Sequence, residues 1–302
     1  MTRDIDNITE LIARLHESKK KRFVLQLPEG LKTKAVEIIS ALENEGFEVI
    51  YAADPSYGAC DLALNEARTA KADALVHIGH SKFYIDIQSD IPVIYFPWKI
   101  GINFEGMDVS SIKEQTIGIV TSIQHRDVME DAKKFLESNK KKAILGGQIL
   151  GCWDLSARNI EKDVDAFLFI GSGHFHPLAL KTEKPVYVMN IELGLIEKLD
   201  TAIFEKKRWA AIYNAKSAVT FGILVSTKEG QNELLGRANE IKRKIEDNQK
   251  KAVILIMDEI TDEKLAGIRV DAFINTACPR LADMHFSKPM INASDLDEVL
   301  LG

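Results

Sequence analysis

The chain writes the same short pattern three times. An aspartate and an alanine lead an unbroken apolar run in Asp73-Ala74-Leu75-Val76-His77-Ile78, in Asp165-Ala166-Phe167-Leu168-Phe169-Ile170 and in Asp271-Ala272-Phe273-Ile274. Each run is followed by a proline-led apolar segment: Pro92-Val93-Ile94-Tyr95-Phe96, Pro185-Val186-Tyr187-Val188 and Pro289-Met290-Ile291. Ahead of each stands an opening strand, at Arg22–Leu27, Thr116–Thr121 and Thr220–Val225. A period of this size marks a supersecondary unit repeated along the chain. Strands alternate with helical patterns, which implies parallel sheets joined by right-handed crossovers. The expected fold class is α/β, with three similar parallel-sheet domains at residues 1–105, 106–205 and 206–302.

The helical segments follow from apolar spacing. Residues 1–20 place Ile5, Ile8, Ile12 and Leu15 on one side. A second helix carries Val36, Ile39 and Leu42 and stops at Gly46. Helices with Val128, Ala132, Phe135 and Leu136, and with Leu234, Ala238, Ile241 and Ile245, follow the opening strands of the second and third repeats. Residues 192–216 are expected to form a connecting helix.

A chain of 302 residues and net charge −6 builds its core without staples, and its mixed charges form no basic stripe for nucleic acid. The clusters Lys19-Lys20-Lys21-Arg22 and Lys140-Lys141-Lys142 are expected at helix ends, where cations complement the dipole. No run of about 18 apolar residues occurs, so no membrane span is expected. The N-terminus lacks the pattern of a secretory signal and cysteines are sparse, so the expected location is cytoplasmic.

The chain has three cysteines, Cys60, Cys152 and Cys278, each just past an expected strand and beside glycine or proline. Loops beyond the carboxyl ends of parallel strands build sites. One cysteine in such a place is most often an apolar filler; three of three point to three thiolates at one centre. Spacings of 92 and 126 residues match no zinc finger or ribbon. An iron–sulfur cluster with one open iron and a zinc ion completed by a histidine both remain open at this point, with His80, His174, His176 and His285 as the loop histidines.

Asp54-Pro55-Ser56-Tyr57-Gly58-Ala59-Cys60-Asp61, Leu150-Gly151-Cys152 and Ala277-Cys278-Pro279-Arg280-Leu281 resemble the three cysteine motifs of the archaeal diphthamide biosynthesis enzymes, the 2-(3-amino-3-carboxypropyl)histidine synthases. The resemblance covers nearly the whole chain, including Lys207-Arg208-Trp209 and the loop Val225–Gln231. It implies three domains in a pseudo-threefold arrangement around a 4Fe–4S cluster held by Cys60, Cys152 and Cys278. It implies cleavage of S-adenosylmethionine at the Cγ–S bond and transfer of the 3-amino-3-carboxypropyl radical to imidazole C2 of a histidine in translation elongation factor 2. It further implies a homodimer and an electron donor of unidentified kind. The chain also lacks the CxxxCxxC loop of ordinary radical enzymes that use this cofactor, as that family does.

For the cofactor, Arg280 is the candidate partner of the carboxylate, with a structural ion pair as its alternative. Gly171-Ser172-Gly173 and the turn bearing His80 and Ser81 end equivalent strands and allow close backbone approach. Gln231 is a further candidate. Two rival functions are a quinolinate-synthase-like dehydratase, which uses its open iron as a Lewis acid, and a non-enzymatic zinc-stabilised scaffold. An ordinary nucleotide-binding protein is disfavoured, because no GxGxxG or Walker A pattern follows the opening strands.

Overall fold

Each repeat builds one sheet. In the computed structural model, which describes residues 2–231 and 234–301, the first sheet has the strand order β2-β1-β3-β4, with β1 Arg22–Gln26, β2 Glu48–Ala52, β3 Ala74–Ile78 and β4 Val93–Phe96. Helices α1 (Thr2–Glu17), α2 (Ala35–Asn44) and α3 (Leu64–Thr69) accompany it. The second sheet runs β6-β5-β7-β8-β9, with β5 Thr116–Thr121, β6 Lys142–Gln148, β7 Ala166–Ile170, β8 Val186–Asn190 and β9 Leu195–Lys198. Its helices are α4 (Met129–Ser138), α5 (Leu155–Arg158) and α6 (Phe175–Leu178).

The third sheet is ordered β11-β10-β12-β13, with β10 Thr220–Ser226, β11 Lys251–Met257, β12 Ala272–Asn275 and β13 Met290–Asn292. Helices α7 (Ala202–Lys216), α8 (Leu234–Asp247), α9 (Asp262–Leu265) and α10 (Leu296–Leu300) complete it. All pairs are parallel except β8 with β9. The chain divides after Leu199 into two compact units, the first holding two sheets and the second one.

The repeated aspartate has a physical reason. Asp73 Oδ2 accepts the Lys21 and Arg22 backbone N–H groups, and Asp271 Oδ2 accepts those of Val219 and Thr220. Asp165 Oδ2 accepts that of Thr116. The aspartate ahead of the third strand thus pins the start of the first strand beside it. The repeated proline opens the fourth strand, where its carbonyl accepts from the third: Leu75 to Pro92, Phe167 to Pro185 and Phe273 to Pro289, at 2.8–2.9 Å. Its missing donor falls at a strand start, where the ladder does not use it.

The lysines at helix ends act through their ammonium groups as well as their charge. Lys19, Lys71, Lys140 and Gln249 take the left-handed conformation that ends a helix. The neighbouring Lys141 donates to the Ile112 and Glu114 carbonyls, and Lys250 to those of Lys216 and Ala218.

Every sheet is packed on both faces. The first is covered by Leu11, Leu15, Ile38 and Leu42 on one face and Leu64 and Ala67 on the other. Ile119, Ala132 and Leu136 lie on one side of the second sheet, and Ile149, Ala157 and Phe167 on the other. For the third, Ile212, Ala238 and Ile241 face Leu265 and Phe273 across the strands. Burial of this kind stabilises at about 25 cal/mol per Å² of apolar surface. In α7, Arg208 clasps the buried Asp295 through Nε and Nη2 at 3.3 and 3.1 Å, so that part of the Lys207-Arg208-Trp209 motif anchors this helix near α10.

Two sequence expectations are corrected. Val36 is 76% exposed and Ile5 63% exposed, while Ile8, Ile12 and Ile39 pack at the edge of the core as expected; the fully inward residues are Ala35, Ile38 and Leu42 in α2, and Leu11 and Leu15 in α1. Residues 192–201 do not extend α7: a turn at Gly194 (φ +64°) leads into the antiparallel strand β9. Gly146 and Gly147 continue β6, with a register shift opposite Ile119 and Val120.

Candidate functional site

In the first unit, Cys60 rides a loop that leaves β2 and is fastened from below by β1. Gln26, the last residue of β1, donates through Nε2 to the Asp61 carbonyl at 2.8 Å and accepts the Ala63 N–H on Oε1 at 3.1 Å. Asp61 in turn accepts the Tyr57 N–H, and its own N–H reaches the Gly58 carbonyl. The cysteine is therefore held by backbone on both flanks.

Gln26 also anchors a chain of rings. His77 Nδ1 lies 2.7 Å from Gln26 Oε1, and His77 Nε2 lies 2.9 Å from His80 Nδ1. Burial drives His77 far below the usual imidazole range, with His80 adding to the effect. His80 is lowered to about 4, first by burial and then by the charge of His176. Both rings are neutral at neutral pH. The glycine before His80 is required by geometry: Gly79 has φ +90°, and a Cβ there would stand 2.7 Å from Pro28 Cγ.

Cys152 sits in a tight turn closed by a two-way bridge between Leu150 and Trp153, at 2.8 and 3.2 Å. Gly151 allows this turn to pack under Phe175, because a Cβ at that position would lie 2.1 Å from the ring. The loop from β3 crosses to this turn. Ser81 and Gln148 exchange a side-chain hydrogen bond at 3.1–3.2 Å, and Tyr84 stacks on Trp153 with ring centroids 6.0 Å apart. Cys152 and Cys60 come within electrostatic range of each other. Burial raises the Cys152 thiol above its ordinary value and Cys60 raises it further, while a hydrogen bond from Tyr84 opposes them.

Other residues of the first unit are placed as follows. Gly171 is buried against the Phe169 ring, 2.9 Å from where its Cβ would be, and Ser172 and Gly173 stand exposed beyond it. His174 pairs with Glu197 at 3.5 Å, and His176 packs against Phe169 and Phe175.

In the second unit, Cys278 follows β12 and caps a short 3-10 turn, Pro279–Asp283, that carries the exposed Arg280. Asn275 holds this loop, its Nδ2 donating to the Cys278 carbonyl and to Asn292 Oδ1, both at 2.8 Å. Gln231 ends another 3-10 turn, with its N–H on the Lys228 carbonyl. His285 lies exposed, and its charge helps to lower the Asp262 carboxyl.

None of the three cysteines forms a disulfide. Among the described residues, no group of three or more His, Cys, Asp or Glu side chains is gathered as the ligands of a metal ion. No helix among them is long and apolar enough to cross a membrane. Sequence reasoning missed Gln26, His77 and Tyr84. The only trace of two of them is one polar residue in each strand, Gln26 at the end of β1 and His77 in β3, and neither disturbs the strand pattern.

The family model of diphthamide synthesis proteins matches residues 27–301. The chain belongs to the diphthamide synthesis family. A family relative from Pyrococcus horikoshii, named 2-(3-amino-3-carboxypropyl)histidine synthase, is 32% identical over 97% of this chain and 90% of its own length. The human subunit 1 of the enzyme of that name is 28% identical over 94% of this chain and 69% of its own length. The crystal structure of Dph2 from Pyrococcus horikoshii with a 4Fe-4S cluster matches with a TM-score of 0.84 and 32% identity, covering 97% of this chain and 90% of that one.

Proposed function

We propose that this protein is a 2-(3-amino-3-carboxypropyl)histidine synthase, a transferase acting in the first step of diphthamide synthesis. Its substrates on this reading are S-adenosylmethionine and a histidine of a protein, which we take to be translation elongation factor 2, modified at imidazole C2. The observation that carries the reading is that Cys60 and Cys152, on loops from two different sheets, lie near enough for Cys60 to raise the Cys152 thiol, in a family with a cluster-bearing member.

Cys60, Cys152 and Cys278 would hold a 4Fe–4S cluster, one from each of three domains, 1–105, 106–205 and 206–302. The residues fit such a group. Thiolates are its ordinary ligands, and the two of the first unit are fixed by backbone and side-chain hydrogen bonds, not left on open loops. When bound and reduced, the cluster supplies the electron that breaks the Cγ–S bond of S-adenosylmethionine.

The chain's own residues would bind and orient the cofactor. Arg280, exposed two residues after Cys278, offers a planar fork suited to a carboxylate. Gly171-Ser172-Gly173 offers open backbone, and His80, Ser81 and Gln231 offer polar side chains. We also propose a homodimer and a separate protein or small-molecule reductant.

The test is anaerobic reconstitution with iron and sulfide, reduction, addition of S-adenosylmethionine, and identification of the released nucleoside. The expected product is 5′-methylthioadenosine, lost in Cys60→Ala, Cys152→Ala and Cys278→Ala. Release of 5′-deoxyadenosine would overturn the aminocarboxypropyl chemistry. A loaded, reduced protein that cleaves nothing would favour the Lewis-acid dehydratase instead, and a colourless zinc protein the scaffold.

A further inference from the structure

The direction of the Gln26 amide is fixed by partners of unambiguous polarity. The Asp61 carbonyl can only accept, so it faces the NH2; the Ala63 N–H can only donate, so it faces the oxygen. The nitrogen of His77 that lies against that oxygen must therefore carry hydrogen. A neutral imidazole has one N–H, so His77 Nε2 bears a lone pair and takes a hydrogen from His80 Nδ1. His80 is left with a bare lone pair on Nε2, on a residue that is only partly buried.

We propose that His80 Nε2 is the hydrogen-bond acceptor for an N–H or O–H donor of the ligand in the site, and that Gln26 and His77 are positioning residues that hold it in that form. This deepens the reading of the site as one for S-adenosylmethionine and rests on it. The relay touches both cysteine loops of the first unit: Gln26 ties down the Cys60 loop, and Ser81, next to His80, bonds Gln148 ahead of the Cys152 turn. A neutral lone pair repels a carboxylate. The ligand's ammonium, ribose hydroxyl or adenine amino group is therefore the class that faces His80, and the carboxylate lies elsewhere.

The arrangement is peculiar to the first repeat. The register pair Gln26 and His77 is matched by Val120 and Phe169 in the second sheet, and by Leu224 and Asn275 in the third. An apolar pair thus serves the same place in the fold. In the third sheet Asn275 holds the cysteine loop. The first sheet instead buries a histidine completely, and desolvating such a polar group is costly unless every partner is in place. Holding a loop does not require a chain of side chains that ends in a ring nitrogen with an unused lone pair; presenting an acceptor does.

Two measurements test this. Long-range proton–nitrogen spectra of the apoprotein labelled with 15N-histidine should show His77 and His80 both as Nδ1–H tautomers. His77→Phe, which installs the residue type found in the second sheet, should shift His80 toward Nε2–H. Reconstituted but unreduced protein, which does not turn over, should bind S-adenosylmethionine about tenfold more weakly in His80→Phe, the worth of one well-made hydrogen bond. His80→Gln, whose side-chain oxygen restores an acceptor, should recover part of that loss. Unchanged affinity in His80→Phe, or an Nε2–H tautomer in the wild type, overturns the proposal alone. A loaded wild type that binds no S-adenosylmethionine overturns it together with the functional reading.

Discussion

At Cys152 the surroundings act in opposite directions. Burial and Cys60 hold the thiol up, and Tyr84 pulls it down. In the apoprotein, Cys60→Ala should therefore lower the pH midpoint of Cys152 alkylation, and Tyr84→Phe should raise it. The pH dependence of iodoacetamide labelling at Cys152, followed by mass spectrometry, checks both; a Tyr84→Phe midpoint equal to wild type would remove the phenol from the account. The cysteines themselves were legible in the sequence, because a residue type used three times and always past a strand leaves little choice. Gln26 and His77 were not. Each sits inside an apolar run, where one polar side chain does not disturb the strand pattern, and only the paired register of β1 and β3 brings them together.

The repeated strands were legible for a reason now visible: each repeat reuses the same aspartate clasp and the same proline-led strand. Backbone N–H groups accepted by Asp73, Asp165 and Asp271 hold the three carboxyls below the usual range. A carboxyl lowered in the folded state contributes stability that is present above its unfolded value, near 4, and is lost as pH falls through the folded one. Urea midpoints should accordingly drop between about pH 5 and about pH 3. Asp73→Asn, Asp165→Asn and Asp271→Asn should each flatten part of that slope, and an unchanged slope in the triple variant would refute the clasp. Helix faces were less legible. Val36 shares a plausible apolar spacing with Ile39 and Leu42, but it faces out while Ala35 and Ile38 meet the core, because a small residue at close approach satisfies packing that spacing by size does not reveal. The strand β9 escaped notice because its turn depends on one left-handed glycine and its pairing on long-range contact with β8.

Over the whole chain, a threefold sequence pattern produces three sheets but two compact units, parting after Leu199. Nothing in the composition around Leu199 announces that division, since the segment from 192 onward reads as helix-forming whether or not β9 interrupts it. The second unit has what independent folding requires. Its sheet of four strands is packed on both faces, α7 is tied to Asp295 by Arg208, and about 100 residues is an ordinary domain size. The fragment 200–302 should fold alone, with a single cooperative urea transition by circular dichroism. A gradual, non-cooperative loss of signal would mean that its core depends on the rest of the chain. Carrying only Cys278, the folded fragment should stay colourless under iron and sulfide, whereas the full chain turns brown. Cluster binding by the fragment would show that three thiolates from three repeats are not needed, and with that the assignment of Cys60 and Cys152 as partners of Cys278 would fail.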